Sequence, residues 1–312
     1  AEALYAPAPD GGAEREDGEG LFDSPSALIR YLRARKWQLD AAEAMIRATA
    51  RWRREFGHAG IRHGAPGEDL RAQNATGKLY VRGFDRQGRP TLYIKTRHET
   101  SEDPPSIVRH LVYNVERAVA CLERLEREGG GPCGAGAAGG GKFVLLVDFS
   151  NYSLKNMIPM PVAKEAILIL QDHYPERLGA AFLIEAPWMM SGLFSALTPF
   201  LDPVTVDKFQ FVTESGAERR ARMERFFDLA VLEPEFGGTA HAPFDSCTYL
   251  TAPAPGVDVF GLEFNEQAQL RSTQGGTCLA VPAPAWTAPA ATPAQSSRRP
   301  SAPAPPPPAA PC

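Results

Sequence analysis

Apolar residues recur along this chain with two different periods, one typical of helices and the other typical of strands. An amphipathic helix is predicted by apolar residues at three- and four-residue steps: Met45, Ala48, Trp52 and Phe56. Residues 143–147 (FVLLV) form a continuous apolar run, which is typical of a strand buried on both faces. The alternation of such segments predicts an α/β fold, with a helical N-terminal lobe followed by a mixed β-sheet flanked by helices.

Capping and turn residues predict where several elements begin. Ser24 followed by Pro25 predicts a helix start, and Asp40 with Glu43 predicts a capping box for the next helix, with Leu39 as its hydrophobic staple. A hairpin turn is predicted at 85–88. The remaining predicted elements are strands at 78–81, 91–95, 143–147, 181–184 and 208–212, and helices at 107–126, 161–174, 188–201 and 216–230.

The predicted helix at 188–201 is apolar around nearly its whole circumference. Such a helix is either deeply buried or faces an apolar partner on its second side, which favours lipid handling. The longer stretch 178–201 has the length of a membrane span, but Glu185 stands near its middle, followed by Pro187. A carboxylate there costs about 2.5 to 3.5 kcal/mol, so a strand, a turn and a helix are predicted instead.

Low-complexity segments bound the folded region. Residues 1–20 are rich in Ala, Gly and acidic residues, whereas 251–312 are rich in Pro, Ala, Ser and Thr, so both are predicted to be disordered. A Gly-rich stretch at 129–141 is predicted to be a flexible insertion. The ordered part is then a helical lobe at 21–75 and a sheet-containing domain at 76–250.

Charge and cysteine usage narrow the classes of function. The net charge of -4 gives no reason to expect a nucleic-acid partner. The five cysteines form no CxxC pair, which is typical of a reducing compartment, and no charged-then-apolar leader opens the sequence. We therefore expect a cytoplasmic protein.

Catalytic and metal-binding motifs are scarce. Residues 136–142 (GAAGGGK) resemble a phosphate-binding loop, but Phe143 replaces the required hydroxyl residue and a strand follows instead of a helix. Asp148 follows the apolar strand, where an aspartate commonly caps the next turn. The six histidines show no HxxxH or HExxH spacing, and no serine lies in a GxSxG elbow. We expect neither an enzyme nor a metal or cofactor site.

Basic residues cluster on the first predicted helix. Arg30, Arg33 and Lys36 share a helical face, with Arg35 offset from it. One interpretation is a solvated basic face. The other is attraction to anionic lipid headgroups, which is worth about 1 kcal/mol for each basic residue near a charged surface.

Several motifs, in the same order along the chain, resemble the CRAL-TRIO lipid-binding family over about 21–240. They are LIRYLRARKWQLDAAEAMIRATARWRREFG at 28–57, DRQGRPTLY, HYPERLGAAFLIEAPW, the segment ending in LTPFLDPVTVDKF, and LEPEFGG at 232–238. The sequence is most similar to the branch of phosphatidylinositol and phosphatidylcholine transfer proteins. The resemblance implies that 76–250 is a lipid-binding domain whose helices and sheet enclose an apolar pocket.

The resemblance also implies specific roles for residues of this chain. A movable gate helix over the pocket falls on Trp188, Met190, Leu193, Phe194, Leu197 and Phe200. A headgroup site for phosphatidylinositol falls on Arg35, Glu176, Thr205 and Lys208, whose carboxylate, hydroxyl and cationic groups suit inositol hydroxyls and a phosphodiester. Lys78 is expected to be surface charge.

One departure from the family pattern bears on the second ligand. Phosphatidylcholine-binding members carry hydroxyl residues on the strand where this chain has Phe143 and Leu145, so we expect inositol lipid in preference to choline lipid. The expected protein is a monomeric lipid-transfer protein that contacts anionic endomembranes transiently. Two alternatives stay open: a carrier of a sterol, tocopherol or retinoid, and a non-transferring module that presents lipid or recruits partners.

Overall fold

The structure is a computed structural model that describes residues 24–63, 66–127, 139–241 and 243–251. The segments predicted to be disordered, 1–20 and 251–312, lie outside the described residues except for Thr251, which ends a helix, and most of the predicted insertion also lies outside them. The elements in chain order are α1 Pro25–Ala34, α2 Leu39–Phe56, α3 His58–His63, α4 Glu68–Ala75, β1 Leu79–Phe84, β2 Pro90–Lys95, α5 Pro104–Arg127, β3 Phe143–Asp148, α6 Met160–His173, β4 Leu178–Ile184, α7 Met189–Leu197, α8 Pro203–Val206, β5 Phe209–Val212, α9 Gly216–Glu224 and α10 Ser246–Thr251.

The N-terminal helices follow the predicted apolar pattern, but two details of their ends differ from the prediction. Helix α2 begins at Leu39 with Gln38 as its N-cap, so the capping box of Asp40 and Glu43 is wrong. The Glu43 carboxylate instead accepts hydrogen bonds from Arg47, one turn further on, at 2.7 and 2.9 Å. Helix α1 ends at Ala34, and Lys36 has a left-handed backbone (φ 51°), so Lys36 does not share the helical face of Arg30 and Arg33.

The five strands form one mixed sheet in the order β1-β2-β3-β4-β5. Strands β1 and β2 are antiparallel, and the others are parallel, which confirms the predicted fold class. The hairpin turn is where the sequence predicts it. The Asp85 carboxylate holds this turn by accepting the backbone N–H groups of Gln87 and Arg89, both at 2.9 Å.

Lys78, just before β1, is not surface charge as expected. It is buried, and its Nζ donates to the Glu99 carboxylate at 2.6 and 2.8 Å and to Gln73. Pairing with a carboxylate explains why a lysine is tolerated there, since an unpaired buried charge is very costly.

The two faces of the sheet are covered to different degrees. On one face the side chains of Val144, Leu146 and Val212 are completely buried, and Phe182 packs on Phe226 with ring centroids 4.9 Å apart. On the opposite face, Leu145 and Val147 of β3 and Phe209 of β5 are only partly buried, and Phe211 of β5 is exposed. The prediction that 143–147 is fully buried on both faces is therefore wrong for the second face, which we call the half-covered face.

Two predicted helices end earlier than expected. The helix predicted at 188–201 is α7, followed by a 3-10 turn at Thr198–Phe200, because Pro199 has no N–H for the helical ladder. The helix predicted at 216–230 is α9, which ends at Glu224. There the guanidinium of Arg86, from the hairpin turn, donates to the carbonyl of Glu224 at 2.8 Å.

Candidate functional site

Three charged residues meet where the parallel strands β3, β4 and β5 begin. Lys142 directly precedes β3, Glu176 stands two residues before β4, and Lys208 directly precedes β5. Because parallel strands start at the same edge of a sheet, the three positions lie toward one edge of this sheet. The Nζ of Lys142 lies 3.7 Å from an Oε of Glu176. The charges of Lys142 and Glu176 both act on the pKa of Lys208. We call this group the charged edge.

The local backbone explains how the charged edge is held. Arg177 is buried, and its guanidinium donates to the carbonyl of Gly141 at 2.8 Å, while the N–H of Phe143 donates to the carbonyl of Arg177 at 2.7 Å. These bonds join the segment before β3 to the segment before β4. Glu176 has a left-handed backbone (φ 59°), an uncommon conformation for a residue other than glycine.

The turn before β5 places Thr205 next to the charged edge. The Asp202 carboxylate caps α8 by accepting the N–H of Val204 at 2.9 Å. The N–H of Lys208 donates to the carbonyl of Thr205 at 3.1 Å, and its own carbonyl accepts the N–H of Ala181 in β4 at 2.9 Å. Lys208 and Thr205 are therefore fixed by one short turn that is anchored to the sheet.

The ammonium group of Lys208 is electrostatically strained. Burial lowers its pKa, and the positive charge of Lys142 lowers it further, whereas Glu176 and Asp202 oppose the shift. Two half-buried lysines beside one carboxylate form a site that an anionic group with hydroxyl substituents would complement, because the lysines donate and the carboxylate accepts hydrogen bonds.

Arg35 is the predicted headgroup residue that the structure does not bring to this cluster. Its guanidinium contacts the carbonyl of Ala34 at 3.5 Å. Among the described residues, no hydrogen bond or ion pair joins it to Glu176, Thr205 or Lys208. Its role at the headgroup remains a prediction.

Helix α7 lies against the half-covered face of the sheet. Phe194 makes edge contacts with Phe209 and Phe211, at centroid distances of 5.1 and 5.6 Å. Leu197 is half-buried, and the ring of Phe200 lies under the ammonium group of Lys164 at 4.2 Å. The side chains of Met190 and Leu193 lie outside the described ones. Trp188, at the start of the helix, is 89% exposed.

An ion pair to α9 anchors the junction between β4 and α7. Glu185 has a left-handed backbone (φ 52°), and its carboxylate pairs with Arg219 of α9. That pairing and a hydrogen bond from Ser150 lower the pKa of Glu185, against the opposing effect of burial. Beyond this point, α7 reaches the sheet through its apolar residues.

Lys142 is the functional candidate that sequence reasoning missed. The glycines before it predict an insertion, and nothing in their composition indicates a functional lysine at its end. A usable signal was its position directly before an apolar strand, the same position that Lys208 has before β5. Within the described parts of the chain, no group of three His, Cys, Asp or Glu residues is placed to hold a metal ion.

Comparison with known families identifies the class of protein to which this chain belongs. The chain matches the CRAL/TRIO domain over residues 74–238 and the CRAL/TRIO N-terminal domain over residues 8–48. It belongs to the CRAL/TRIO family, a family of lipid-binding and lipid-transfer proteins, as the sequence motifs predict.

Individual relatives refine this placement. The chain is 33% identical over 206 residues to the phosphatidylinositol transfer protein PDR17 of Saccharomyces cerevisiae, a match that covers 62% of this chain and 54% of that protein. It is 31% identical over 228 residues to the phosphatidylinositol transfer protein CSR1 of Eremothecium gossypii, covering 70% and 48%. The chain thus spans about half the length of these relatives.

A solved structure shares the fold. The crystal structure of Sfh5 superimposes with a TM-score of 0.56 at 16% sequence identity, covering 79% of this chain and 81% of that one. At that identity the likeness concerns the fold alone. Of the helices that the structure describes, none is both long and apolar enough to cross a membrane.

Proposed function

We propose that this protein binds phosphatidylinositol and carries it between membranes, as a cytoplasmic monomer that touches anionic endomembranes only transiently. The observation that carries the proposal is the charged edge, where Lys142 lies 3.7 Å from Glu176 and both charges act on Lys208, on the sheet whose half-covered face α7 contacts. A polar site for a headgroup thus adjoins an apolar site for acyl chains. The names of the relatives PDR17 and CSR1 support the same ligand.

The headgroup chemistry follows from the residue types. Glu176 accepts hydrogen bonds from inositol hydroxyls, while Lys208 and Thr205 donate toward the phosphodiester. We assign Arg35 to the phosphodiester as well, which requires its flexible side chain to turn away from Ala34 when lipid binds.

The acyl chains supply the reason for a covered pocket. Moving a two-chain lipid through water exposes about 30 methylenes at about 0.8 kcal/mol each, so unaided desorption faces about 25 kcal/mol. A protein removes most of this barrier by offering an apolar surface and closing over it. We assign the closing to α7, which contacts β5 through aromatic rings and swings outward at a membrane. Its two proposed points of movement are Gly192 within the helix and the turn at Asp202 and Pro203 after it.

Transfer of labelled phosphatidylinositol between vesicles tests the proposal. Glu176→Ala and Lys208→Ala are each expected to abolish transfer, while circular dichroism and thermal unfolding stay unchanged. Glu43→Ala is the matched control, because it removes a carboxylate that pairs with Arg47 on α2. Normal transfer by both site variants would show that the headgroup assignment is wrong.

Mass spectrometry of lipid that copurifies with the protein tests the ligand itself. Positions 143 and 145 of β3 are Phe and Leu, whose side chains carry no hydroxyl, so neither can bond to a choline lipid. We expect inositol lipid far above choline lipid, and equal amounts would defeat this argument. A sterol, tocopherol or retinoid in its place would favour the alternative carrier, and bound lipid without transfer would favour a lipid-presenting module.

A further inference from the structure

The loop between β3 and α6 exposes an unusual amount of apolar surface. Four large apolar side chains within seven residues are between 38% and 65% exposed: Leu154, Met157, Ile158 and Met160. Single exposed apolar residues are ordinary on protein surfaces, whereas a contiguous group marks a surface that contacts something apolar. We call residues 154–160 the apolar loop.

In the apolar loop a polar side chain faces the protein, while the apolar side chains face solvent. The amide of Asn156 donates to the carbonyls of Arg97 and Glu99, both at 3.0 Å, and its carbonyl accepts a hydrogen bond from the hydroxyl of Ser153 at 2.7 Å. These bonds hold the loop in place from beneath. Its apolar side chains are therefore presented outward by a fixed backbone.

The apolar loop lies at the same sheet edge as the start of α7. The N–H of Phe149 donates to the carbonyl of Ile184, at 2.9 Å, and the hydroxyl of Ser150 bonds to Glu185. The loop and the β4–α7 junction are thus in contact at their bases. Trp188, the most exposed large apolar side chain reported for the described residues, follows Glu185 by three positions. This edge is opposite the charged edge, since it is where the parallel strands end.

Positive charge in the apolar loop favours an anionic bilayer as its partner. Lys155 is exposed within the apolar loop, and residues 149–160 contain no Asp or Glu, whereas the exposed Lys164 on α6 is followed by the exposed Glu165. Apolar side chains that project beside Lys155 suit a bilayer with anionic headgroups, because the lysine meets the phosphate layer while the apolar groups pass it.

We propose that the apolar loop, together with Trp188, is the surface that docks this protein on anionic bilayers. The inference rests on the proposed transfer function, because a carrier must touch the bilayer next to the helix that moves, which is α7. The loop stays fixed to the sheet, so it holds the protein on the bilayer while α7 moves beside it.

Vesicle cosedimentation of the full chain tests the proposal. On phosphatidylcholine vesicles containing phosphatidylserine, the double variant Leu154→Ser, Met157→Ser is expected to bind at least about tenfold more weakly, because two side chains lose their transfer from water into lipid. Val204→Ser is the matched control: Val204 is 61% exposed, but it lies in α8 at the opposite sheet edge, and its loss is expected to leave binding unchanged.

The outcomes separate this proposal from the proposed function. Full vesicle binding by the double variant, or an equal loss with Val204→Ser, would overturn the docking surface, and the first result would leave a protein partner for the loop. Lys155→Glu should weaken binding only when phosphatidylserine is present. Glu176→Ala should keep vesicle binding while losing transfer; if it transfers normally, the headgroup assignment fails while the docking result stands on its own.

Discussion

Lys142 and Lys208 bring two positive charges to one half-buried carboxylate. Like charges in a partly desolvated place repel, and the lowered pKa of Lys208 reflects both burial and the nearby Lys142. A phosphodiester between the two ammonium groups would reverse this repulsion, because each lysine would then face an anion. We therefore propose Lys142 as a further phosphate ligand in the headgroup site, beside Lys208, Thr205 and Arg35.

Replacing Lys142 tests that role. Lys142→Ala is expected to weaken phosphatidylinositol binding by about tenfold, or about 1.4 kcal/mol, the loss of one charge-assisted hydrogen bond. Native mass spectrometry of the protein titrated with the lipid measures the change. Arg47→Ala, an exposed cation on α2, serves as the control. An unaltered affinity in Lys142→Ala would limit the phosphate contacts to the residues found from the sequence.

The predictable part of the candidate site is the part carried by sequence motifs. Glu176 and Lys208 stand in motifs that resemble a known family, and in the structure the charge of Glu176 acts on Lys208. Lys142 follows a glycine-rich stretch whose composition predicts an insertion, and only the parallel arrangement of β3 and β4 brings it to Glu176. Its contact depends on strand order, which local composition does not contain.

At the scale of elements, apolar periodicity located the helices and strands better than it located their ends. At the end of α9, Arg86, more than a hundred positions earlier, supplies a hydrogen bond to the carbonyl of Glu224, which has no partner within the helix. Likewise, α2 starts before the Asp40 and Glu43 pair, since Glu43 is engaged by Arg47 instead of the helix start. Such ends are decided by partners distant in sequence or by competing side chains, whereas the interior of an amphipathic helix is decided by its own pattern.

Helix α7 contains one residue that bears directly on its proposed movement. Gly192 is exposed in the middle of this nine-residue helix, and a Cβ at that position would meet no atom within 4 Å. Glycine costs a helix about 1 kcal/mol relative to alanine, since its unfolded backbone is freer. The glycine thus keeps α7 weak without any steric need for it.

Gly192→Ala is therefore expected to stiffen α7. Its amides should exchange with solvent deuterium about fivefold more slowly, as about 1 kcal/mol of added helix stability implies, and vesicle-to-vesicle transfer should slow. Gly60→Ala is the control, because Gly60 lies in α3 and its Cβ would also meet nothing within 4 Å. Faster transfer by Gly192→Ala would contradict the idea that this helix limits exchange.

At the scale of the whole molecule, one buried carboxylate joins the helical lobe to the rest. Glu116 of α5 lies 2.7 Å from the ring nitrogen of His58 and 3.0 Å from the guanidinium of Arg62, and it accepts the hydroxyl of Tyr174 at 2.7 Å. Burial alone would raise its pKa, but Arg53, together with His58 and Arg62, outweighs burial and holds the pKa well below its usual range. No local pattern predicts this cluster, since charged residues in a sequence normally indicate solvent-exposed positions.

Histidine burial makes the stability of the whole molecule depend on pH. His110 of α5 is buried, with Nε2 3.4 Å from the Asn74 side-chain oxygen. Burial, aided by the charge of Lys78, lowers its pKa from 6.5 to about 3. Between these values the unfolded chain binds a proton that the folded chain does not. The free energy of unfolding contributed by His110 is therefore fully present above pH 6.5 and is lost as the pH falls toward about 3.

Denaturant unfolding between about pH 7 and about pH 5 tests this linkage, and His110→Asn should reduce the loss of stability by about 1 kcal/mol per pH unit. Part of the loss should remain, because burial, with Arg53, lowers the pKa of His173 to about 4 in the same direction. His241→Asn, at an exposed position, is the control and should keep the full dependence. If His110→Asn lost stability with the same slope as the parent chain, the buried imidazole would not be the group that the folded state keeps neutral.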